Sequence, residues 1–169
     1  MSKAITIGHD SEFGLTKNNF IISALAVFGS EVYEDKNGRA FADNMNCEIA
    51  INPVTTMKGF HDKTTNLLQY VTDKGYGQVM KPVICYDDKY LEHPDARISG
   101  CNPDFNAYFM ENNNAPDFTD MDGTRSCGAH VHAQLTSGNP YWFTRWMDAL
   151  VAVPLLKYED KSTRRSLYG

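Results

Sequence analysis

A strict alternation of apolar and polar side chains in the C-terminal half of the chain constrains the fold more than any other feature. It lies in the segment Arg125–Leu135, RSCGAHVHAQL, and begins at Ala129. On an extended strand, His130, His132 and Gln134 point to one face, while the small and aliphatic residues between them point to the other. We therefore expect a sheet with one apolar and one polar face. Two neighbouring imidazoles suit a metal or phosphate site, and the alternative of two solvated or structurally hydrogen-bonded histidines stays open.

Two further segments place acidic residues in the same kind of pattern. In Asn44–Asn52, NMNCEIAIN, alternation puts Glu48 on the strand face opposite the apolar residues. The run Ala4–Gly8, AITIG, predicts a strand that leads into a loop or bulge, HDSEFGL. If the strand continues, Asp10 and Glu12 share one face and can point into the same space as the two histidines. For Glu48, a charged residue facing water at a sheet surface is the alternative.

Apolar periodicity, caps and turn residues predict the remaining elements. These elements are a buried strand or short helix at Phe20–Phe28, a hairpin at Asn37-Gly38, a helix at Met57–Lys74 capped by Thr55 or Thr56, a strand at Lys81–Tyr86, and a helix that starts at Asn139-Pro140 and is kinked or ended by Pro154. The helix after Thr56 is expected to cover the sheet.

Length, charge and cysteine spacing exclude several classes of protein. The 169 residues suit one domain spanning 1–169, and the net charge of −5 argues against a nucleic-acid surface, which needs clustered Lys and Arg. No apolar run reaches the roughly 18 residues of a membrane span, and MSKAITIGHD lacks a hydrophobic signal segment. We therefore expect a cytoplasmic protein without a membrane partner. Wide spacing predicts free thiols at all four cysteines, Cys47, Cys85, Cys101 and Cys127.

The order of these segments resembles a known family. IGHDSEFGL, NCEIAINP, GCNPDFNAY, RSCGAHVHAQL, WMDALVAVPLL and RRSLYG follow one another as in the phage-associated carboxylate–amine ligases of type 2. These are amidoligases of the glutamine synthetase and glutamate–cysteine ligase superfamily, and the likeness covers nearly the whole chain. It implies an α+β fold in which a curved, mainly antiparallel sheet holds Mg2+ ions and ATP on its concave face, with helices on the convex face.

The resemblance also implies roles for the polar strand residues. Glu12, Glu48 and His130 would be metal ligands and catalytic residues, and His132 would contact the nucleotide or substrate from the same face. Carboxylate oxygens are hard ligands of the kind that Mg2+ prefers. The implied cofactors are therefore Mg2+ and ATP.

Basic residues would complete the nucleotide site on the same resemblance. Arg164 and Arg165 match the basic residues near the phosphates, with Arg165 also counted as catalytic, and Arg125 is a further candidate for that task. The implied reaction transfers the γ-phosphoryl group of ATP to a carboxylate, and an amine then attacks the acyl phosphate. The acid and amine substrates would be small molecules or peptides.

The sequence departs from the family's pattern at the C-terminal end. There the family continues beyond the RR-x-x-YG segment, whereas this sequence ends at Gly169. We therefore expect a truncated sheet: a fragment, a chain completed by a second chain or by a homo-oligomer, or an inactive copy. The alternatives to a phage-encoded ligase in the host cytoplasm are an inactive binding or assembly protein and a metal-dependent hydrolase built on His130, His132 and an acidic residue.

Overall fold

A computed structural model describes residues 5–97, 105–114, 122–134 and 137–158. This part of the chain is an α+β structure built on a curled antiparallel sheet, as the sequence predicted. The sheet strands are β1 (Ile7–Lys17), β2 (Phe20–Ile22), β3 (Tyr33–Glu34), β4 (Gly38–Asp43), β5 (Asn46–Ile51), β6 (Gly77–Val79) and, later in the chain, β11 (Ala129–Ala133). Two small sheets pair β7 (Val83–Cys85) with β10 (Thr124–Ser126) and β8 (Phe105–Asn106) with β9 (Glu111–Asn112).

The long strand β1 is the centre of the sheet. Its first half pairs with β11 on one side and β5 on the other, and its second half pairs with β2 and β6. Strands β4 and β3 follow β5 outward, so the order is β11-β1-β5-β4-β3. The loop or bulge predicted after Gly8 is therefore wrong. The backbone stays extended because Asp10 has strand partners on both sides, Ala50 and His130.

Two short predictions can be compared directly with the structure. The hairpin at Asn37-Gly38 is confirmed, because it joins β3 to β4 and the Gly38 amide donates to the carbonyl of Asp35. Gly38 has φ +147°, and a Cβ there would lie 2.1 Å from the Ala50 carbonyl oxygen, so the turn requires glycine. The run Phe20–Phe28 contains both predicted alternatives, β2 followed by the four-residue helix α1 (Leu25–Phe28).

One helix covers one face of the sheet. The helix α2 (Met57–Asp73) begins at Thr56, whose side chain accepts the amide of Gly59, as predicted. Its buried residues, Leu67 and Val71, pack on the apolar sheet face. That face contributes Phe13, Leu15, Ala40, Cys47, Ile49 and Ile51 to the same core cluster. The polar residues between them on each strand must point to the opposite face.

A second, smaller core lies on the polar side of β1. Ile84 of β7 contacts the position where a Cβ of Gly14 would be, at 3.1 Å, so β7 packs directly over this end of the strand. The cluster consists of Met45, Ile84, Tyr86, Ala96 and Cys127, with Tyr90 and Leu91 partly buried against it. Two 3-10 helices, Asp88–Glu92 and Pro94–Arg97, close this layer. It covers the polar face of the sheet at Gly14, next to Glu12 on the same strand.

The C-terminal helical segment continues past Pro154, so of the two predicted effects of this proline, a kink or an end, the end is wrong. Asn139 caps α3 (Pro140–Met147) as expected, and its side chain accepts the amides of Tyr141 and Trp142. The helix then widens into a π-turn over Asp148–Ala152 and continues as α4 (Val153–Leu155) and a 3-10 turn (Leu156–Tyr158). Pro154 therefore does not end the helix, because the wider turn just before it accommodates a residue without a backbone N–H.

Two further expectations concern thiols and membranes. Cys47 and Cys85 are free, as predicted, and Cys101 lies outside the described residues. Within the described ranges, every helix is too short or too polar to cross a membrane.

Candidate functional site

Strand register gathers acidic side chains on the sheet face opposite α2. Glu12 of β1 lies directly opposite Glu48 of β5, and Asp43 ends β4 beside them. Residues directly opposite each other in an antiparallel pair project to the same face, so the parity predicted for Glu12 and Glu48 is correct. Asp10 follows on the same face, about 7 Å along β1.

Three carboxylates come close enough together to hold one cation. Glu12, Asp43 and Glu48 each offer an oxygen atom, and these atoms lie within 4.8 Å of one another. All three side chains are half-buried, so Glu48 does not simply face water. Three negative charges in partial shelter from solvent repel one another, and a cation would relieve that repulsion.

Burial and repulsion raise the pKa values of two of these groups, Glu48 and Asp43. Burial, together with the carboxylates of Asp43, Asp10 and Glu12, raises the pKa of Glu48 to about 8, although Arg39 opposes the change. Burial and the nearby Glu12 and Asp10 carboxylates likewise raise the pKa of Asp43. Without a cation, the cluster therefore retains protons at a pH where ordinary carboxyl groups have lost them.

Hydrogen bonds fix the direction of the Glu12 carboxylate. Its Oε2 accepts the Gly128 amide at 3.1 Å and the Asn46 amide group at 3.3 Å. Asn46 is itself held in place, because it donates to the Ser126 carbonyl at 2.7 Å and accepts the hydroxyl of Tyr86 at 2.9 Å. The small core under β7 thus supports one ligand of the acidic cluster through Asn46.

Both histidines of the alternating strand bind Asp10. The Nδ1 of His130 lies 3.1 Å from Asp10 Oδ1, and the Nε2 of His132 lies 2.9 Å from Oδ2. The His130 backbone amide also donates to Asp10, at 3.2 Å. A carboxylate only accepts hydrogen bonds, so each ring donates an N–H to it.

The two histidines change the pKa of the Asp10 carboxyl group. Burial raises the pKa of Asp10, but the hydrogen bonds and charges of His132 and His130 outweigh burial and leave the pKa below its usual value. The two imidazoles remain accessible, with side-chain exposures of 56% and 65%. A ligand could therefore reach both rings from solvent.

The structure brings some of the predicted site residues together and separates others. Glu12 and Glu48 meet as predicted, with Asp43 as an additional member. His130 lies on the same face, but among the described residues the cation-sized group consists of the three carboxylates and does not include it. His132 neighbours His130, at a ring-centre distance of 6.4 Å.

Of the predicted arginines, Arg125 belongs to the described residues, and backbone carbonyls bind its side chain. The Arg125 side chain is buried beneath the small core, where it donates to the carbonyls of Ala96 at 2.6 Å, Thr124 at 2.7 Å and Asp122 at 2.8 Å. We assign it to the support of that layer. Arg164 and Arg165 lie outside the described residues.

Sequence reasoning missed Asp43, although a signal for it exists. In GRAFAD, residues 38–43, small residues alternate with Arg39, Phe41 and Asp43. This period of two marks a strand with its small residues toward a helix and its larger and charged residues on the other face. The hairpin turn at Asn37-Gly38 would have supplied the start of that strand.

Comparisons with protein-family models, with curated proteins and with solved structures find no match to this chain.

Proposed function

We propose that the protein is an ATP- and Mg2+-dependent carboxylate–amine ligase with a glutamine synthetase-like catalytic sheet. The observation that carries the proposal is the group of three carboxylates, Glu12, Asp43 and Glu48, on the open face of a curled antiparallel sheet. The order of sequence segments supplies the reaction class. The three close carboxylates support the requirement of that reaction for a divalent cation.

The chemistry of the donor set fits Mg2+. All three groups offer hard carboxylate oxygens, which Mg2+ and Mn2+ prefer, whereas zinc sites are usually built from histidine and cysteine. The raised pKa of Glu48 marks a place where negative charge lacks compensation. A bound Mg2+ would screen phosphate oxygens and neutralise charge that develops during phosphoryl transfer.

The remaining polar groups then act on the substrates. Asn46 and the Gly128 amide hold Glu12 in position, so that the site is pre-organised before ligands arrive. Asp10 orients the rings of His130 and His132, and the second nitrogen of each ring would accept a hydrogen bond from the amine substrate. In this proposal His130 is a substrate contact rather than a metal ligand.

Binding of Mn2+ and of Mg-ATP to the purified full-length chain tests the proposal. Asp43→Asn and Glu48→Gln are expected to weaken Mn2+ binding by roughly a factor of 10 or more, since each removes a ligand charge. Glu34→Gln is the matched control, because Glu34 is an exposed glutamate of β3 outside the cluster. If calorimetry detects no Mg-ATP binding at millimolar nucleotide, the ligase proposal fails.

Two further results would redirect the assignment. Zinc that stays with the protein through purification would favour a metal-dependent hydrolase, for which the contacts of His130 and His132 with Asp10 are the relevant observation. A stable complex with a partner chain, without ATP turnover, would favour an inactive binding or assembly protein. Strand β11 offers an edge for such a partner, because within the described ranges it pairs only with β1.

A further inference from the structure

A cavity of about 390 Å³ lies between the start of α1 and the first 3-10 helix, and none of the acidic-cluster residues lines it. Its volume lies in the usual range for a small-molecule site. Leu25 and Tyr90 contribute apolar wall, and both also pack against the small core under β7. The cavity is therefore anchored to folded structure on two sides.

A buried hydroxyl in the cavity wall has no partner. Ser23 is 2% exposed and lines the cavity, and its Oγ makes no hydrogen bond within the described part of the chain. A buried polar atom without a hydrogen bond is costly, so such atoms are rare in folded proteins. A ligand in the cavity would give this hydroxyl the partner that it lacks.

Two further residues of the lining carry opposite charges. Lys89 brings an ammonium group and Glu92 a carboxylate. Lys89 Nζ lies 3.3 Å from Asp87, but both side chains are well exposed, so this ion pair is weak and the ammonium can exchange partners.

His93 adds a directed donor. Its Nδ1 accepts the backbone amide of Asp95 at 3.2 Å, which leaves the ring proton on Nε2. The lining thus offers a cation and a neutral donor for a carboxylate, an anion for an ammonium group, and a hydroxyl that can serve either.

We propose that this cavity binds a free α-amino acid with an apolar side chain. A zwitterion satisfies both Lys89 and Glu92, whereas an acid or an amine alone leaves one of these charges unmatched. The apolar wall at Leu25 and Tyr90 takes the side chain, and Ser23 gains its hydrogen bond. This site is separate from the acidic cluster and does not depend on the proposed ligase activity.

Titration of the full-length protein with L-leucine, in the absence of nucleotide and magnesium, tests the proposal. NMR shift changes are expected at the amides of Leu25 and Ala26, with none at Asp10 or Glu12. Two analogues probe the charges: 4-methylpentanoate lacks the ammonium group and 3-methylbutylamine lacks the carboxylate. Each should bind more weakly than leucine by roughly a factor of 10, the effect of one lost charged hydrogen bond.

Variants separate the contributions of the hydroxyl and the carboxylate. Ser23→Ala should weaken leucine binding about fivefold without lowering the melting temperature of the free protein, since the hydroxyl has no partner there. Glu92→Gln should weaken leucine but leave 4-methylpentanoate unchanged. Glu111→Gln is the control, because Glu111 is an exposed glutamate of β9 that does not line the cavity.

Three results would overturn the proposal. They are the absence of leucine-induced shifts at Leu25 and Ala26 at millimolar leucine, equal affinity for leucine and 4-methylpentanoate, and leucine binding that Glu92→Gln does not change. The exposed position of Glu92 keeps the last test interpretable even if Ser23→Ala fails to fold.

Discussion

Glu48→Gln is expected to stabilise the cation-free protein at alkaline pH, because it removes a carboxyl group whose ionised form is disfavoured by burial and by its acidic neighbours. The folded-state pKa of about 8 lies above the ordinary value of 4.5, so the folded protein binds more protons than the unfolded chain between these values. The free energy of unfolding of the wild type therefore falls as pH rises from 4.5 to about 8 and changes little beyond that.

The structure sets the size of the effect. The difference between 4.5 and about 8 corresponds to at most about 5 kcal/mol, at about 1.4 kcal/mol per pH unit. Because Glu48 is only half-buried, solvent screens these charges, and we expect a gain of about 1–3 kcal/mol for Glu48→Gln above pH 8. Below pH 4.5 the two proteins should have nearly the same stability.

Urea denaturation of the two proteins across this pH range, in the presence of EDTA, measures the difference. A second series with Mg2+ should reverse the order at alkaline pH, since the wild type keeps all three carboxylates for the cation and gains more from binding it. Glu34→Gln should follow the wild type in both series.

A pH-independent difference between wild type and Glu48→Gln would contradict the electrostatic explanation. So would a Glu48→Gln protein that is less stable than wild type above pH 8 in EDTA, since the carboxylate would then have a favourable partner in the folded state. Equal stabilisation of both proteins by Mg2+ would show that the cation binds elsewhere.

Three further expectations follow from single contacts. Leu67→Ala, at a fully buried position of α2, should cost about 2–5 kcal/mol of unfolding free energy in urea, and an unchanged midpoint would contradict the packing described. Tyr86→Phe leaves Asn46 Oδ1 without its buried donor and should cost about 1–2 kcal/mol, measured the same way, with weaker Mn2+ binding through the Asn46–Glu12 contact. Asp10→Asn should lower the free energy of unfolding by about 1 kcal/mol near neutral pH. Because the pKa of Asp10 is lowered in the folded state, that difference should disappear as acid protonates the wild-type carboxylate. A difference that persists in acid would refute this account.

Strand periodicity predicted the faces of the candidate site well. The alternation around Glu48 and around His130 and His132 placed each side chain on the correct face, because a period of two leaves a local record in the sequence. The register that brings Asp10 opposite His130 is a pairing across 120 positions, and no local pattern encodes it. Sequence reasoning therefore found the face but not the Asp10 contacts that hold the two rings.

The roles predicted for other residues depended on tertiary context in the same way. The resemblance made Arg125 a candidate phosphate ligand, but the Ala96 carbonyl that binds it lies 29 positions earlier in the chain and reaches it only after folding. The predicted loop after Gly8 failed because its polar residues resemble a turn locally. Partners on both sides of β1 make them a strand instead.

The central position of β1 has a consequence for the order of folding. The carboxylates of the cluster come from Glu12, Asp43 and Glu48, which one compact N-terminal meander brings together, whereas the histidines arrive on β11 after a far longer chain closure. We expect the acidic half of the face to assemble first and to bind a cation before β11 docks. A cation bound at that stage would lower the repulsion among the three carboxylates before the sheet is complete, and the ion would then act as a folding partner.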